Sequence, residues 1–370
     1  LEATFLGVML FGWGRVSERM HFLATFMVAF GTLISAFWIL SANSWMQTPA
    51  GYRIVDGVAG MRVFEPADWW AIVFNPSFPY RLAHMVLAAF ITTCFVIGGV
   101  SAAYLLRGVH VEAGKRMFKA AVLFAAITVP LQVFVGDLHG LNVREHQPIK
   151  VAAMEAHWEH KPKGEGVPLI LFAVPNEKTE GNDYEVAIPR LGSLILTHTL
   201  DGEIQPLKSV PATERPPIAP VFYAFRVMVG LGVAMLLLTL ASLWLLWRKR
   251  LHDARWLLQG WRWMTLSGFV ALLAGWYVVE IGRQPYVIYG LLRTADAVSP
   301  ILAASSVLSS LIVYAVVYTI VFGSGIWYLR KVIRKGPQAH EPPPRRDHGE
   351  KTPARPLSAV DDRLEAGEGA

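Results

Sequence analysis

The chain has 370 residues, of which 54% are hydrophobic and 17% charged, and its mean hydropathy is +0.39. This composition is typical of a multi-span membrane protein and argues against a soluble domain. The formal net charge of +6 is small for this length and lies largely in short connections, which indicates membrane topology rather than nucleic-acid binding. A single cysteine, Cys94, excludes an internal disulfide and a cysteine-ligated zinc or iron–sulfur site.

Apolar stretches predict an all-α, polytopic transmembrane helix bundle with six full spans and one partial span. The partial span covers residues 1–13, and because the chain opens inside it without an initiator Met, we expect an N-terminal truncation. The full spans are predicted over residues 22–45, 82–106, 118–135, 218–247, 263–281 and 301–329.

These spans divide the chain into four regions. Residues 1–135 hold the N-terminal transmembrane helices, and residues 218–330 hold the C-terminal ones. Between them, residues 136–217 form a polar loop too long for a simple connector, which indicates a function. The tail, residues 331–370, is rich in Pro, Arg, Glu and Gly and is predicted to be disordered.

Alternate connections are strongly basic, as in Arg248-Lys249-Arg250 and Arg330-Lys331. The positive-inside bias places these connections in the cytoplasm, together with the C-terminus. In a bacterial inner membrane the long loop is then periplasmic.

Glu280 is a carboxylate at the far end of an apolar run that begins near Leu266. A charge at that depth costs several kcal/mol, about 2.5 to 3.5 at a helix centre and less toward the ends, so it needs a partner or a function. An ion pair with Arg283 at i+3 and a functional role are both open at this point.

Two further side chains are predicted at the same outer level of the membrane, on other helices. They are His84, just inside its span, and Met228, about two and a half turns into its span. Taken singly, His84 is also explained as an interfacial or hydrogen-bonded histidine and Met228 as a packing residue, and it is their common depth with Glu280 that favours a function. His with Met is an axial pair for a low-spin heme, and a carboxylate such as Glu280 suits a high-spin iron. Arg226 is expected on a different helix face from Met228, either to pair with a heme propionate or to snorkel outward.

A second pair is predicted nearer the middle of the membrane. Glu2 lies roughly 20 Å from the cytoplasmic edge at 1.5 Å per residue, and Ser35 reaches a similar depth on the next helix. An acid and a hydroxyl there suit a proton relay, whereas Ser35 alone is also explained by a hydrogen bond to its own helix.

Residues 150–160 of the long loop predict a short amphipathic helix at the surface. Its Lys150 and Glu155 can bind the polar head of an amphiphilic substrate. His157 and His160, at i and i+3, are predicted to be solvated rather than metal-bound because no third ligand is evident.

With these residues assembled, the chain resembles the heme-bearing subunit I of cytochrome bd-type quinol oxidases, almost continuously from Leu1 to about Pro337. The resemblance is carried by a set of motifs in order and in register: Gly12-Trp13, Phe37-Trp38-Ile39-Leu40, Asn43, Trp45-Met46-Gln47, His84, Gly136-Asp137, residues 150–155, Phe225-Arg226-Val227-Met228 and residues 276–285.

The resemblance implies a role for each matching position. His84 and Met228 would be the axial ligands of the low-spin heme b, and Glu280 the ligand of the high-spin heme b. The remaining implied positions are Trp276 between the hemes, Lys150 and Glu155 at the quinol site, Glu2 and Ser35 on the proton path, and Arg226 stabilising the reduced low-spin heme.

The resemblance also implies a third heme, heme d or a further heme b, whose His and Glu ligands would precede Leu1. The fragment alone is therefore expected to be inactive, and its loop is similar to the short, cyanide-insensitive type. Implied partners are quinol, oxygen, a second large membrane subunit and small single-span subunits, with no nucleic acid.

The alternatives from other classes are a heme-free proton-coupled transporter, with Glu280 and Glu2 as coupling sites, and a cofactor-free structural subunit.

Overall fold

The computed structural model describes residues 2–12, 15–56, 62–162, 164–298 and 302–337, without the side chains of Glu2, Ala3 and Arg62. Eleven α-helices account for most of these residues. They are α1 (Glu2–Phe11), α2 (Glu18–Gln47), α3 (Trp69–Val73), α4 (Phe78–Arg107), α5 (Val111–His146), α6 (Pro148–Glu155), α7 (Leu191–Thr197), α8 (Ile218–Trp247), α9 (Arg255–Trp263), α10 (Ser267–Ile281) and α11 (Ala304–Lys335).

Three two-stranded antiparallel hairpins lie in the connections. They pair β1 (Tyr52–Asp56) with β2 (Arg62–Pro66), β3 (Leu169–Asn176) with β4 (Gly181–Ile188), and β5 (Tyr286–Ile288) with β6 (Leu292–Arg293). The helices dominate, so the predicted all-α class is confirmed and the sheets are minor additions to it.

Six helical segments of the described residues are long and apolar enough to cross a membrane, as predicted. Their bounds are Glu18–Gln47, Trp69–Arg107, Val111–His146, Ile218–Trp247, Arg255–Ile281 and Ala304–Lys335. The last of these segments, α11, continues past its predicted end at residue 329 to Lys335. Residues 338–370 of the predicted tail lie outside the described part of the chain.

The described residues fall into two compact units. One contains α1 and the part of α2 up to Ile39, in which His21 Nε2 lies 2.9 Å from the Met9 carbonyl oxygen. The other unit comprises residues 40–334 and holds every remaining element named below.

Close packing of α4, α5, α8 and α9 forms the main core of the larger unit. Trp261 is fully buried, its ring stacks on Phe95 at 4.6 Å, and its Nε1 donates to Ser242 Oγ at 2.9 Å. A Cβ at Gly98 would lie 2.4 Å from the indole, so only glycine lets α4 approach this ring. Small residues allow such close contact between membrane helices, and here the contact fixes α4 beside α9.

A second core lies where α6 packs against α8 and the loop. Ala152 and Ala153 are fully buried there, with Phe222 of α8 and Val278 of α10 in the same cluster. Because small side chains permit close approach, α6 is held against the two helices that carry Met228 and Glu280.

Candidate functional site

The carboxylate of Glu280 belongs to a polar chain that joins three helices. Asn43 Nδ2 donates to Oε1 at 2.9 Å, and Arg283 Nη2 donates to Oε2 at 2.6 Å. Asn43 Oδ1 in turn accepts from Arg81 Nη1 at 2.6 Å. The ion pair with Arg283 that the sequence allowed is therefore present, and the chain of contacts connects α10 to α2 and α4.

His84 lies one turn after Arg81 on α4, facing α5. Gln132 Nε2 lies 3.2 Å from His84 Nε2, and the ring of His139 lies 5.4 Å from that of His84. A Cβ built at Gly136 would be 3.4 Å from His84 Cε1, so this glycine leaves room beside the imidazole.

Met228 of α8 lies against α10 at Gly275. A Cβ at Gly275 would be 3.1 Å from Met228 Sδ, closer than ordinary contact, so a larger residue would press on the thioether. Gly275 precedes Trp276 and lies about 7.5 Å along the helix axis from Glu280, at 1.5 Å per residue. Adjacent helices thus carry the thioether and the carboxylate at levels about 7.5 Å apart along the helix axis.

Several buried polar atoms around these residues have no hydrogen-bond partner within the part of the chain that the structure describes. Among the described residues they include His139 Nε2, Gln132 Oε1, and both Nε and Nη1 of Arg283. Buried polar groups are almost always hydrogen-bonded, so these atoms fit a polar group supplied by a ligand. The carboxylates of a heme edge would accept from His139 and Arg283, and imidazole with thioether is a low-spin ligand pair, so the donor set fits a heme.

Lys150 of α6 is 2% exposed and donates to two amide oxygens, Gln47 Oε1 at 2.5 Å and Gln147 Oε1 at 2.6 Å. Burial lowers the pKa of Lys150 well below its ordinary value, and the nearby charges of Arg81 and Arg283 lower it further. The amide oxygens therefore hold an amine that gives up its proton more readily than a surface lysine does.

Glu155, at the other end of α6, is 4% exposed and paired with a cation. Its Oε2 accepts from Arg226 Nη2 at 2.7 Å, and Arg226 Nε donates to the Ile170 carbonyl oxygen at 2.6 Å. The guanidinium lies 4.7 Å from the centre of the Phe222 ring. Arg226 thus contacts the loop, an arrangement that was not predicted from the sequence.

The predicted surface position of residues 150–160 is wrong. α6 forms as a short helix, but Ile149 to Glu155 are all buried, because α5, α8 and the loop cover it. The prediction of a solvated His157 is also wrong: it is 4% exposed, and its carbonyl oxygen accepts from Leu207 N at 2.9 Å. His160 is exposed, and no group of three His, Cys, Asp or Glu in the described residues is placed to hold a metal ion.

The predicted proton-path residues belong to the smaller unit. The side chain of Glu2 lies outside the described residues, and Ser35 is an exposed residue of α2. Their role remains a prediction.

Sequence reasoning missed three side chains that the structure brings to the site, Arg81, Gln132 and His139. It also missed the contact of Asn43 with the Glu280 carboxylate. Polar residues within membrane helices are rare and usually functional, so the available signal was their position inside a predicted span or within a few residues of its start or end.

Residues 1–337 match the family model for cytochrome bd terminal oxidase subunit I. The chain belongs to this family. Its members include subunit 1 of the cytochrome bd ubiquinol oxidase of Bacillus subtilis (strain 168), 36% identical over 348 residues, covering 91% of this chain and 72% of the relative.

Two further comparisons agree with this membership. Subunit 1 of the cytochrome bd-II ubiquinol oxidase of Escherichia coli (strain K12) is 30% identical, covering 92% of this chain and 77% of the relative. The solved bd oxidase structure from Geobacillus thermodenitrificans superposes with a TM-score of 0.79 at 29% identity, covering 91% of this chain and 75% of that one.

The resemblance stated from the sequence is thus confirmed, with the enzyme class. This cytochrome bd subunit I is an integral membrane, heme-bearing subunit of a terminal respiratory oxidase, an oxidoreductase. The comparisons do not favour the heme-free transporter.

Proposed function

We propose that this subunit oxidises quinol beneath its long loop, on the periplasmic side of the bacterial inner membrane, for the reduction of oxygen to water. The observation that carries the proposal is the Arg226–Glu155 hydrogen bond of 2.7 Å, because it connects the buried loop helix α6 to the turn of α8 that bears Met228. Quinol bound at α6 is thereby next to the proposed electron acceptor.

His84 and Met228 are the proposed axial ligands of a low-spin heme b, and Glu280 is the proposed ligand of a high-spin heme b. Each oxygen of Glu280 accepts one hydrogen bond, and a carboxylate oxygen has a second lone pair for a metal. Trp276 is proposed to lie between the hemes. When bound, these hemes, with heme d or a further heme b, supply one-electron transfer and oxygen chemistry.

Lys150 and Glu155 are the proposed quinol-binding residues. Two quinols provide the four electrons that reduce one oxygen molecule to two waters, and they release four protons as they are oxidised. Quinol protons leave toward the periplasm, while the protons of water come from the cytoplasm past Glu2 and Ser35. Charge is thus separated across the membrane without a pump, and Arg226 stabilises the reduced low-spin heme.

The proposed partners are quinol, either ubiquinol or menaquinol, oxygen, a second large membrane subunit and small single-span subunits. The proposed orientation has the long loop in the periplasm and the C-terminus in the cytoplasm, since the basic connections lie on the opposite side from the loop.

The test replaces Glu155 with Ala in the assembled oxidase. We expect slower quinol oxidation, but unchanged oxygen reduction by an artificial electron donor that bypasses the quinol site. Glu159→Ala is the matched control, because Glu159 is an exposed loop carboxylate that pairs with Lys208 at 2.5 Å. Equal loss of both activities in Glu155→Ala would argue against a quinol role for α6.

A further inference from the structure

A cavity of about 140 Å³ lies beside the loop helix α6, at the end of α10. Its lining includes Lys150 and Ile149 of α6, Glu214 before α8, and Gln284, Tyr286 and Tyr289 after α10. The rings of Tyr286 and Tyr289 meet at 5.7 Å, and Tyr289 N donates to the Met46 carbonyl oxygen at 3.0 Å. The cavity is therefore bounded by segments anchored to α2, α6 and α10.

The cavity has the size of one six-membered ring. An apolar protein cavity of about 150 Å³ binds benzene. Aromatic side chains such as Tyr286 and Tyr289 favour edge or offset contact with another ring. Burial raises the pKa of the Tyr289 phenol, which therefore stays protonated and can donate a hydrogen bond.

The polar groups of the lining differ in their access to water. Lys150 is 2% exposed, whereas the side chain of Glu214 is 39% exposed and that of its ion-pair partner Arg293 is 42% exposed. Glu214 Oε1 lies 3.2 Å from Arg293 Nη2, and such solvent-exposed pairs are weak. The Glu214 carboxylate can thus exchange Arg293 for another donor without a large cost.

We propose that this cavity holds the aromatic head of the quinol, and that Glu214 accepts the proton of the hydroxyl group nearest to it. The proposal rests on the proposed quinol role of Lys150, which lines the same cavity. In the first of two one-electron steps, one quinol O–H bond breaks, its proton moves to a carboxylate oxygen of Glu214, and one electron leaves toward oxygen, the oxidase's terminal acceptor, which leaves a semiquinone. Loss of the proton of the second hydroxyl group and of a second electron to the same acceptor completes the quinone. Glu214 then releases the proton to the water that reaches it.

Glu155 is less suited to this transfer. Its Oε2 is held by Arg226 at 2.7 Å, and the residue is buried, so a proton accepted there has no direct path to solvent. Glu214 combines contact with the cavity and contact with water in one side chain.

The experiment measures steady-state oxidation of decylubiquinol, and of a short-chain menaquinol, by the assembled oxidase. In Glu214→Gln we expect kcat to fall by about a hundredfold with little change in KM, because proton transfer by a positioned side chain typically contributes that much. Glu214→Asp should recover part of the rate, since the carboxylate is kept. The matched control is Glu180→Gln, which removes a loop carboxylate of similar exposure paired with Arg215 at 2.6 Å.

A second variant tests the cavity itself. Val210 also lines it, so Val210→Phe should fill it and raise the quinol KM by about tenfold, while oxygen reduction by an artificial donor stays unchanged. If Val210→Phe does not assemble, the variants at the half-exposed Glu214 decide the proposal.

A kcat of Glu214→Gln equal to that of Glu180→Gln, or an unchanged KM in an assembled Val210→Phe, overturns the inference. The variant Lys150→Met distinguishes a failure of this cavity proposal from a failure of the proposed quinol-oxidising function. If Lys150→Met alone impairs quinol oxidation, the quinol site stands and this cavity is not the headgroup pocket. If no variant alters quinol kinetics, both proposals fail.

Discussion

The Nη2 of Arg226 donates to Oε2 of Glu155 at 2.7 Å, and this contact joins the helix of Met228 to a loop helix distant in sequence. Both side chains are largely buried. Removing one member of a buried ion pair leaves an uncompensated charge, which commonly costs about 3 to 5 kcal/mol. The pair therefore holds the loop in place as well as linking the two proposed sites.

We predict that Arg226→Leu destabilises the loop by about 3 kcal/mol, because the Glu155 carboxylate stays buried without its cation. Hydrogen exchange of α6 amides measures this opening. The double variant Arg226→Leu with Glu155→Leu should be less destabilised than Arg226→Leu alone. Lys208→Leu, which breaks an exposed loop pair, is the control and should leave exchange unchanged. Additive effects in the double variant would show that the pair is not coupled.

A second prediction concerns His139, whose buried Nε2 lacks a partner among the described residues and whose ring lies 5.4 Å from that of His84. If its N–H donates to the edge of the low-spin heme, His139→Phe should lower that heme's midpoint potential by about 40 mV, the equivalent of one hydrogen bond of about 1 kcal/mol. Redox titration of the optical band measures the shift. His146→Phe, on the same helix, is the control, and an equal shift in both variants would contradict the prediction.

A third prediction concerns the pH dependence of loop stability. Burial, with the charges of Lys161 and His160 adding to it, lowers the pKa of His157 from 6.5 to about 4. The opened loop then binds a proton more readily than the native loop. The contribution of the neutral His157 side chain to the stability of the closed loop is full above about pH 6.5. It declines as the pH falls toward 4, by at most about 3 kcal/mol.

Limited proteolysis of the loop at pH 7 and pH 4.5 tests this dependence. Acid should speed cleavage in the wild type, and His157→Gln should remove much of the effect because Gln does not titrate in this range. His160→Gln should keep most of the pH effect, because burial, rather than the charge of His160, is the largest cause of the lowered pKa of His157. Retention of the full pH effect in His157→Gln would assign it to another group.

The bounds of a membrane helix could be predicted closely from the sequence where the type of residue changes abruptly at both of its ends. The predicted span of residues 218–247 coincides with α8, because Pro217 precedes it and a basic triplet follows at Arg248. By contrast, α5 was predicted to end at residue 135 but continues to His146. Hydropathy marks where lipid ends, whereas a helix continues into water as long as its polar residues are compatible with it.

The surroundings of the site could be predicted less well. The residue types of His84, Met228 and Glu280 carry the donor chemistry, so they were recognisable in the sequence. The burial of Lys150 and His157 depends on chain segments far along the sequence, such as Leu207, which donates to the His157 carbonyl oxygen. No local pattern contains that information, since an amphipathic helix has the same sequence whether its polar face meets water or another segment.

The most direct test of the account is the reduced-minus-oxidised optical spectrum of the assembled oxidase carrying Met228→Leu. Met235→Leu is the matched control, since Met235 is a buried methionine of the same helix in the main core. We expect Met228→Leu to lose the low-spin heme b band while the high-spin bands remain, and Met235→Leu to keep every band. An unchanged low-spin band in Met228→Leu would contradict the assignment of Met228 as an axial ligand.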